Sequence, residues 1–353
     1  MYYGILKKLL AWIILVFLAN SNMNCQGDWK LSFPTEQGLD SIILMKLDSR
    51  IENELPHFRS LLIARNGYLI FEKYYHGASA NEFQNLHSVT KSITSALIGI
   101  ALNEGYITSL DDKVIDYYPD CKDSINDSRV NDIKIRHLLT MSSGIDEIPT
   151  MFAKGESNPN QTTLKKDLIF DPGSNFKYSS PSSHLLAGIL NKTTGKSVLD
   201  YARDKLLKPM GIKTVIWYKD HDGLEYGCGS SLWKARDILK FGQLYLNHGM
   251  WDQNQLIPPE YVNESTKKHI SGTFYVKQVN YGYLWWISEI DGFKVFSAEG
   301  YGSQILRVIP GLNMVILCTS DWNQPYYAEH ETIIENYIIP SILSERFIST
   351  DIE

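Results

Sequence analysis

The chain is poor in cysteine: it has four, Cys25, Cys121, Cys228 and Cys318, in 353 residues. They are widely spaced, so neither a disulfide framework nor a thiolate metal site is implied. No metal-ligand spacing of any kind occurs, and no cofactor is expected. A basic block is also missing, and the formal net charge is −6. Nucleic acid is therefore excluded as the main partner. No internal repeat and no low-complexity tract is visible. No apolar run comfortably spans a bilayer, which takes about 20 residues.

What is present is ordinary globular composition, 44% hydrophobic and 21% charged, with ample material for a sizeable core in one large domain or two lobes. Residues 1–24 read as an export signal. Lys7 and Lys8 precede the apolar run Leu9–Ala19, and polar Asn20-Ser21-Asn22 follows. This predicts a periplasmic or extracellular protein. Cys25, just after the segment, is a candidate for lipid modification, although Met23-Asn24 is a poor match to the small residues usual there. Either an uncleaved N-terminus or a lipidated Cys25 would tether the chain to a membrane. Cys228 and Cys318 lie in apolar or Gly-rich surroundings and read as small core residues.

The mature chain, 28–353, opens with a predicted helix around Leu39–Glu54. Leu61–Tyr75 reads as a β-hairpin turning at Asn66-Gly67. Helices are expected at Val89–Leu102, Ser109–Tyr118, Ile135–Gly144 (with the glycine as stop), His184–Lys192 (capped by Ser182 or Ser183), Val198–Leu207 and Leu232–Asn247. The loop Asp146–Gln161, rich in Asn, Pro and Gly, is a candidate active-site rim. Strand texture returns in Tyr281–Ile287, Phe293–Ala298, Ser303–Ile309 and Met314–Thr319, before a last helix at Ala328–Leu343. Short connections make these strands antiparallel neighbours. The expected fold is α/β (α+β): an antiparallel sheet flanked by helices, with an inserted, mostly helical lobe. The α/β lobe would take residues 28–105 plus 271–353, and the helical lobe 106–270.

One stretch carries chemistry. Ser88 would stand at the N-terminus of the apolar helix that follows, with Lys91 three residues on and on the same face. A serine hydroxyl is a poor nucleophile at neutral pH, and a neighbouring amine can take its proton. The Ser-x-x-Lys spacing alone is common: Ser174/Lys177, Ser231/Lys234 and Ser265/Lys268 share it. Most such pairs are helix caps with a solvated lysine, and Ser231 reads that way. Ser88/Lys91 stands apart because the helix after it is apolar, which implies a buried lysine. Tyr178, between a turn and a helix, could relay a proton, with hydroxyl-bearing Ser180 two residues on. Gly300-Tyr301-Gly302 joins two candidate strands. Gly300 lets backbone approach a ligand, and the Tyr301 N–H could pair with that of Ser88 as an oxyanion hole. The bland alternative is a tight hairpin turn.

Together these residues carry a resemblance. Ser88-Val89-Thr90-Lys91-Ser92 with its helix, Leu138-Leu139-Thr140-Met141-Ser142-Ser143-Gly144, Pro172-Gly173 before Tyr178-Ser179-Ser180, and Gly300-Tyr301-Gly302-Ser303-Gln304 stand in order. From about Leu61 to Thr319 the chain resembles the serine hydrolases related to class C β-lactamases, D,D-peptidases, family VIII esterases and nylon-oligomer (6-aminohexanoate-dimer) hydrolases. The resemblance implies an acyl-enzyme on Ser88, with Lys91 as activating base and Tyr178 returning the proton. It also implies substrate contacts from Ser180, Gly300 and Tyr301, and a small-molecule ester or amide as substrate. Two departures matter: Ser180 stands where the β-lactamase pattern has Asn, and Ala298 where it has the Lys of Lys-Thr-Gly. Without that cation, β-lactam hydrolysis and carboxypeptidase activity are the less favoured readings. A non-catalytic penicillin-binding-like envelope receptor is the alternative from another class. His87 and His137 read as structural or rim residues. Of Trp285 and Trp286, on opposite faces of a strand, one should pack in the core and the other could reach the site. Glu299 is either a substrate contact or a solvated or ion-paired carboxylate.

Overall fold

The computed structural model describes residues 29–148, 158–321, 323 and 329–342. The expected export segment 1–24, Cys25 and the middle of the predicted rim loop lie outside the described residues. In chain order the first strands are β1 (Lys30–Leu31), β2 (Phe58–Arg65), β3 (Tyr68–Tyr74) and β4 (Phe83–Asn85). The middle of the chain supplies β5 (Ile216–Trp217), β6 (Ser231–Lys234), β7 (Met250–Trp251) and β8 (Asn254–Gln255). The last six are β9 (Ile270–Phe274), β10 (Lys277–Tyr281), β11 (Trp286–Ile290), β12 (Phe293–Gly300), β13 (Gln304–Ile309) and β14 (Met314–Ser320).

Both ends of the chain build one nine-stranded sheet, ordered β1-β3-β2-β14-β13-β12-β11-β10-β9. Its pairs are antiparallel except β1 with β3. The β2–β3 hairpin turns at Asn66 and Gly67, with φ of 53° and 80°, the left-handed pair that a two-residue hairpin needs. Of the four strands expected near the C-terminus the last three are present; the first, Tyr281–Ile287, is split, with Tyr281 ending β10, a turn at 282–285, and Trp286 beginning β11. The β9–β10 hairpin was not expected, because its residues alternate between exposed and half-buried and carry little apolar signal.

Central strands are apolar on both faces, as sheets covered on both sides require. On one face Leu61 and Ile63 of β2 meet Ile316 and Cys318 of β14 beneath the helices Ser41–Glu54 and Glu329–Ile333. On the other, Leu62 and Ala64 join Leu306, Val308, Val315 and Leu317 beneath the helices Val89–Asn103 and Ala235–Leu246. Cys121, Cys228 and Cys318 are buried free thiols. Among the described residues no helix is long and apolar enough to cross a membrane.

Four local expectations need correction. Ser231–Lys234 is strand β6, not the start of a helix. It alternates buried and half-buried and pairs with β4 and β5. Ser231 is therefore no cap; its hydroxyl lies 2.8 Å from that of Thr90. The helix expected from His184 begins at Ser180, because the Ser179 hydroxyl already accepts from Ser182 N–H at 3.3 Å. Of Ser109–Tyr118 only Val114–Tyr117 makes a helical turn; Ser109 Oγ instead accepts from Asp111 N–H at 3.0 Å. The helix expected over Ile135–Gly144 ends at Leu139, and Met141 is left-handed at φ 56°, whereas the Val198–Ala202 helix runs on to Leu207 as expected, through a wider turn at Arg203–Leu207.

The Val89–Asn103 helix sits at the centre of the molecule, with Val89 through Ala101 all buried. Its polar side chains are each matched. Ser92 Oγ donates to Leu284 O at 2.6 Å, Thr94 Oγ1 to Gly227 O at 2.8 Å, and Ser95 Oγ lies 3.0 Å from Tyr261 Oη. Buried hydroxyls left alone would each cost about 1–3 kcal/mol. At Gly99 a Cβ would stand 2.3 Å from the Tyr261 ring, so only glycine lets that ring lie on the helix.

Trp285 is wholly buried between Phe241, Tyr245 and Phe296, with ring centroids 6.0, 4.5 and 5.2 Å away. Trp285→Ala should lower stability by about 3–5 kcal/mol, read as the shift of the urea unfolding curve. A loss below about 1 kcal/mol would contradict this packing.

Candidate active site

The turn that carries Ser88 is built before the helix begins. His87 is left-handed, with φ of 45°, and its N–H donates to Asn85 Oδ1 at 3.1 Å. A non-glycine residue with positive φ is uncommon and is held there by its surroundings. Ser88 then enters helical geometry at φ −72° and ψ −9°. Lys91, one turn on, points back along the same face. Its Nζ lies 3.0 Å from Ser88 Oγ.

Lys91 is 1% exposed. Its amine also donates to Cys228 O at 2.7 Å and to Ser180 Oγ at 3.4 Å. All three acceptors are neutral. The centroid of the Tyr178 ring lies 4.9 Å from the same Nζ. Residues 88, 91, 178 and 180, far apart in the sequence, therefore meet around one buried amine.

The segment bearing Tyr178 is pinned on both sides. Lys177 N–H donates to Met141 O at 2.8 Å, and Lys177 Nζ pairs with Asp146 at 3.0 Å. Ser180 N–H donates to Glu147 Oε2 at 2.6 Å. The described start of the predicted rim loop thus reaches the site. The Tyr178 ring stacks on Trp286, centroids 5.6 Å apart and planes 15° off parallel, and leans on Phe274 at 5.0 Å. Trp286 is the tryptophan that reaches the site, and Trp285 the one in the core.

Gly300 ends β12 against the Ser88 turn. A Cβ there would stand 2.3 Å from Leu86 O and 3.2 Å from Ser88 N. No side chain fits, so the strand end and the Ser88 turn are in direct contact. Tyr301, 48% exposed, sets its ring edge-on to His87 with centroids 5.8 Å apart. Gln304 braces this hairpin, its Nε2 donating to Gly302 O and Ser320 O, both at 2.8 Å. His87 is a rim residue; burial, then the neighbouring Lys91, push its pKa down to about 4. His137 lies away from this contact, its Nδ1 accepting from Lys134 N–H at 3.2 Å. Glu299 stands 3.7 Å from the Arg307 guanidinium, an ion-paired carboxylate whose pKa burial raises. Among the described residues no group of three or more His, Cys, Asp or Glu could hold a metal ion.

Two contacts had no sequence signal. Cys228 acts through its main-chain carbonyl, which any residue would supply. Glu147 sits in a loop where an acidic residue is unremarkable.

Comparisons with known proteins agree on one family. A family model described as Beta-lactamase matches residues 59–336. The chain is similar to Protein flp of Staphylococcus aureus, 26% identical over 333 residues, covering 84% of this chain and 65% of that protein. It is also similar to the 6-aminohexanoate-dimer hydrolase of Paenarthrobacter ureafaciens, 22% identical over 320 residues, covering 80% and 76%. Among solved structures, a family VIII carboxylesterase superposes with a TM-score of 0.70 at 12% identity, covering 88% of this chain and 99% of that one.

The environment of the site predicts a pH response. The His87 imidazole should stay neutral in the folded protein from pH 8 down to about 4, followed by NMR titration. Because the unfolded chain gains that proton first, near pH 6.5, this residue lowers stability progressively as pH falls from about 6.5 to about 4. An imidazole that titrates at its ordinary value would refute the burial described.

Proposed function

The chain belongs to the beta-lactamase family of hydrolases, and on that premise we propose that it is an exported serine hydrolase that cleaves a carboxylic ester or amide through an acyl-enzyme on Ser88. The observation that carries this reading is the buried Lys91 amine 3.0 Å from Ser88 Oγ.

In the proposed reaction Ser88 Oγ bonds to the substrate carbonyl carbon while its proton passes to the Lys91 amine as base. The oxygen that becomes negative is received by the N–H groups of Ser88 and Tyr301, each worth about 3–4 kcal/mol in the transition state. Gly300 lets these two donors approach one point, since a Cβ there would stand 3.2 Å from Ser88 N. Collapse of the intermediate breaks the C–O or C–N bond. The leaving alcohol or amine takes a proton through Tyr178, which recovers it from the Lys91 ammonium. Water then attacks the acyl ester with the same groups acting in reverse, and Ser88 regains its proton. Ser180, within 3.4 Å of the Lys91 amine, steadies that amine and contacts the substrate.

The substrate is a small molecule. Ala298, in place of a lysine on β12, leaves the cleft without the cation that would hold a carboxylate beside the scissile bond. The aromatic rings of Tyr178, Phe274 and Trp286 offer an apolar wall instead. Both features favour a neutral ester or a linear amide over a β-lactam or a D-Ala-D-Ala peptide. The names of the relatives, an amide hydrolase and a carboxylesterase, support the same choice. Residues 1–24 support export to the periplasm or the extracellular space, with the N-terminus or a lipid on Cys25 as tether.

A fluorophosphonate probe should label wild-type protein at Ser88 and leave Ser88→Ala unlabelled. Lys91→Ala and Tyr178→Phe should lower kcat on p-nitrophenyl esters by about 10²–10⁴-fold, with nitrocefin left intact by the wild type. Folded protein that takes no label and turns over neither esters nor a linear amide would refute the enzyme reading. Tight ligand binding that survives Lys91→Ala would then favour a receptor.

A further inference from the structure

A second pair of ionisable groups lies buried outside the site. His184 Nε2 is 2.9 Å from Asp220 Oδ2, and the two side chains are 0% and 3% exposed. His184 belongs to the Ser180–Thr194 helix that begins at the active site. Its other ring nitrogen, Nδ1, accepts from Gly227 N–H at 3.3 Å. That bond assigns the tautomer: Nδ1 carries the lone pair, so the proton is on Nε2 and is donated to Asp220. Asp220 is itself held, its Oδ1 accepting from Asp222 and Leu224 N–H, both at 2.9 Å.

Gly227 is clamped on every side. Its N–H goes to His184, and its carbonyl accepts from Thr94 Oγ1 at 2.8 Å. A Cβ would stand 2.5 Å from Ser183 O and 2.8 Å from Ala187 Cβ. The next carbonyl, Cys228 O, is the nearest acceptor to the Lys91 amine, at 2.7 Å. A carbonyl can only accept. It therefore draws one amine hydrogen away from Ser88 and fixes how the amine faces that hydroxyl.

We infer that Asp220 and His184 are positioning residues for the Lys91 base, acting through the Gly227–Cys228 main chain. This rests on the catalytic reading of Ser88 and Lys91 given above. Asp220 sets the His184 tautomer, His184 sets the Gly227 peptide, and the Cys228 carbonyl orients the amine. The pair touches neither substrate nor reacting atoms.

Asp220→Asn tests the chain of contacts. The Asn carbonyl can keep the Asp222 and Leu224 bonds, but its amide then donates toward Nε2. The imidazole must move its proton to Nδ1, where it opposes Gly227 N–H. The expected result is a fall in kcat of about tenfold or more with KM within about twofold, and labelling of Ser88 slowed by the same factor. Thr94→Val, which removes the bond to Gly227 O together with the longer 3.3 Å bond to Thr90 O within the helix, should show the same pattern at about threefold. In the wild type, ¹⁵N spectra at pH 7 should show His184 protonated at Nε2 and not at Nδ1. A folded Asp220→Asn protein with wild-type kcat overturns the inference, as does a loss confined to KM or a wild-type His184 protonated at Nδ1. If Asp220→Asn does not fold, Thr94→Val and the wild-type spectra decide. Absence of labelling and turnover in the wild type would instead defeat the catalytic reading, while the ¹⁵N result would still stand on its own.

Discussion

The structure depends on one buried amine. Taking a lysine head group out of water costs several kcal/mol unless partners replace the lost solvation. Here they are the Ser88 hydroxyl, the Ser180 hydroxyl and the Cys228 carbonyl. Each arrives on a different segment, so the amine is satisfied only when those segments are docked together. A carboxylate partner would have been the simpler solution for stability. Neutral acceptors leave the amine uncommitted to a fixed counter-charge, as the role proposed for it requires.

The rest of the fold supplies those segments rigidly. The Val89–Asn103 helix is buried along thirteen consecutive residues, and its hydroxyls bind the loops around it. Thr90 ties to β6, Ser92 to the turn before β11, Thr94 to the Gly227 segment and Ser95 to Tyr261. An all-apolar helix would pack as well but would not dictate where each loop sits. Specific buried hydrogen bonds convert packing into registration.

Much of this was legible in the chain alone. The sheet's long strands, the Asn66-Gly67 hairpin and the apolar helix after Ser88 follow from periodicity and turn chemistry. So does the pairing of Ser88 with Lys91, because helical spacing fixes which residues share a face. Tyr178 and Gly300 stand out by their turn and strand-junction settings, and the resemblance ties them to Ser88, since no local rule relates positions so far apart. The errors have physical causes. Ser231-Leu232-Trp233-Lys234 looked helical because one apolar pair beside a lysine fits either period, and β4 decided it. The cap of the Ser180–Thr194 helix was placed too late because four serines around Pro181 offer equivalent oxygens. The β9–β10 hairpin is an edge element with few buried side chains, so it left no pattern to read. The Cys228 carbonyl was invisible because main-chain acceptors carry no residue identity.

The absence of a side chain at position 300 has a further consequence. With Leu86 O where a Cβ would go, the floor beside Ser88 is made of backbone and cannot be altered without displacing the Ser88 turn. Its walls, Phe274, Trp286 and Tyr301, are side chains at strand ends and turns that tolerate exchange. A descendant of this chain could therefore acquire new acyl or leaving-group preferences by redecorating those rings alone, keeping the same reaction. Divergence in substrate with constancy in chemistry is what such a division between immovable base and replaceable surround permits.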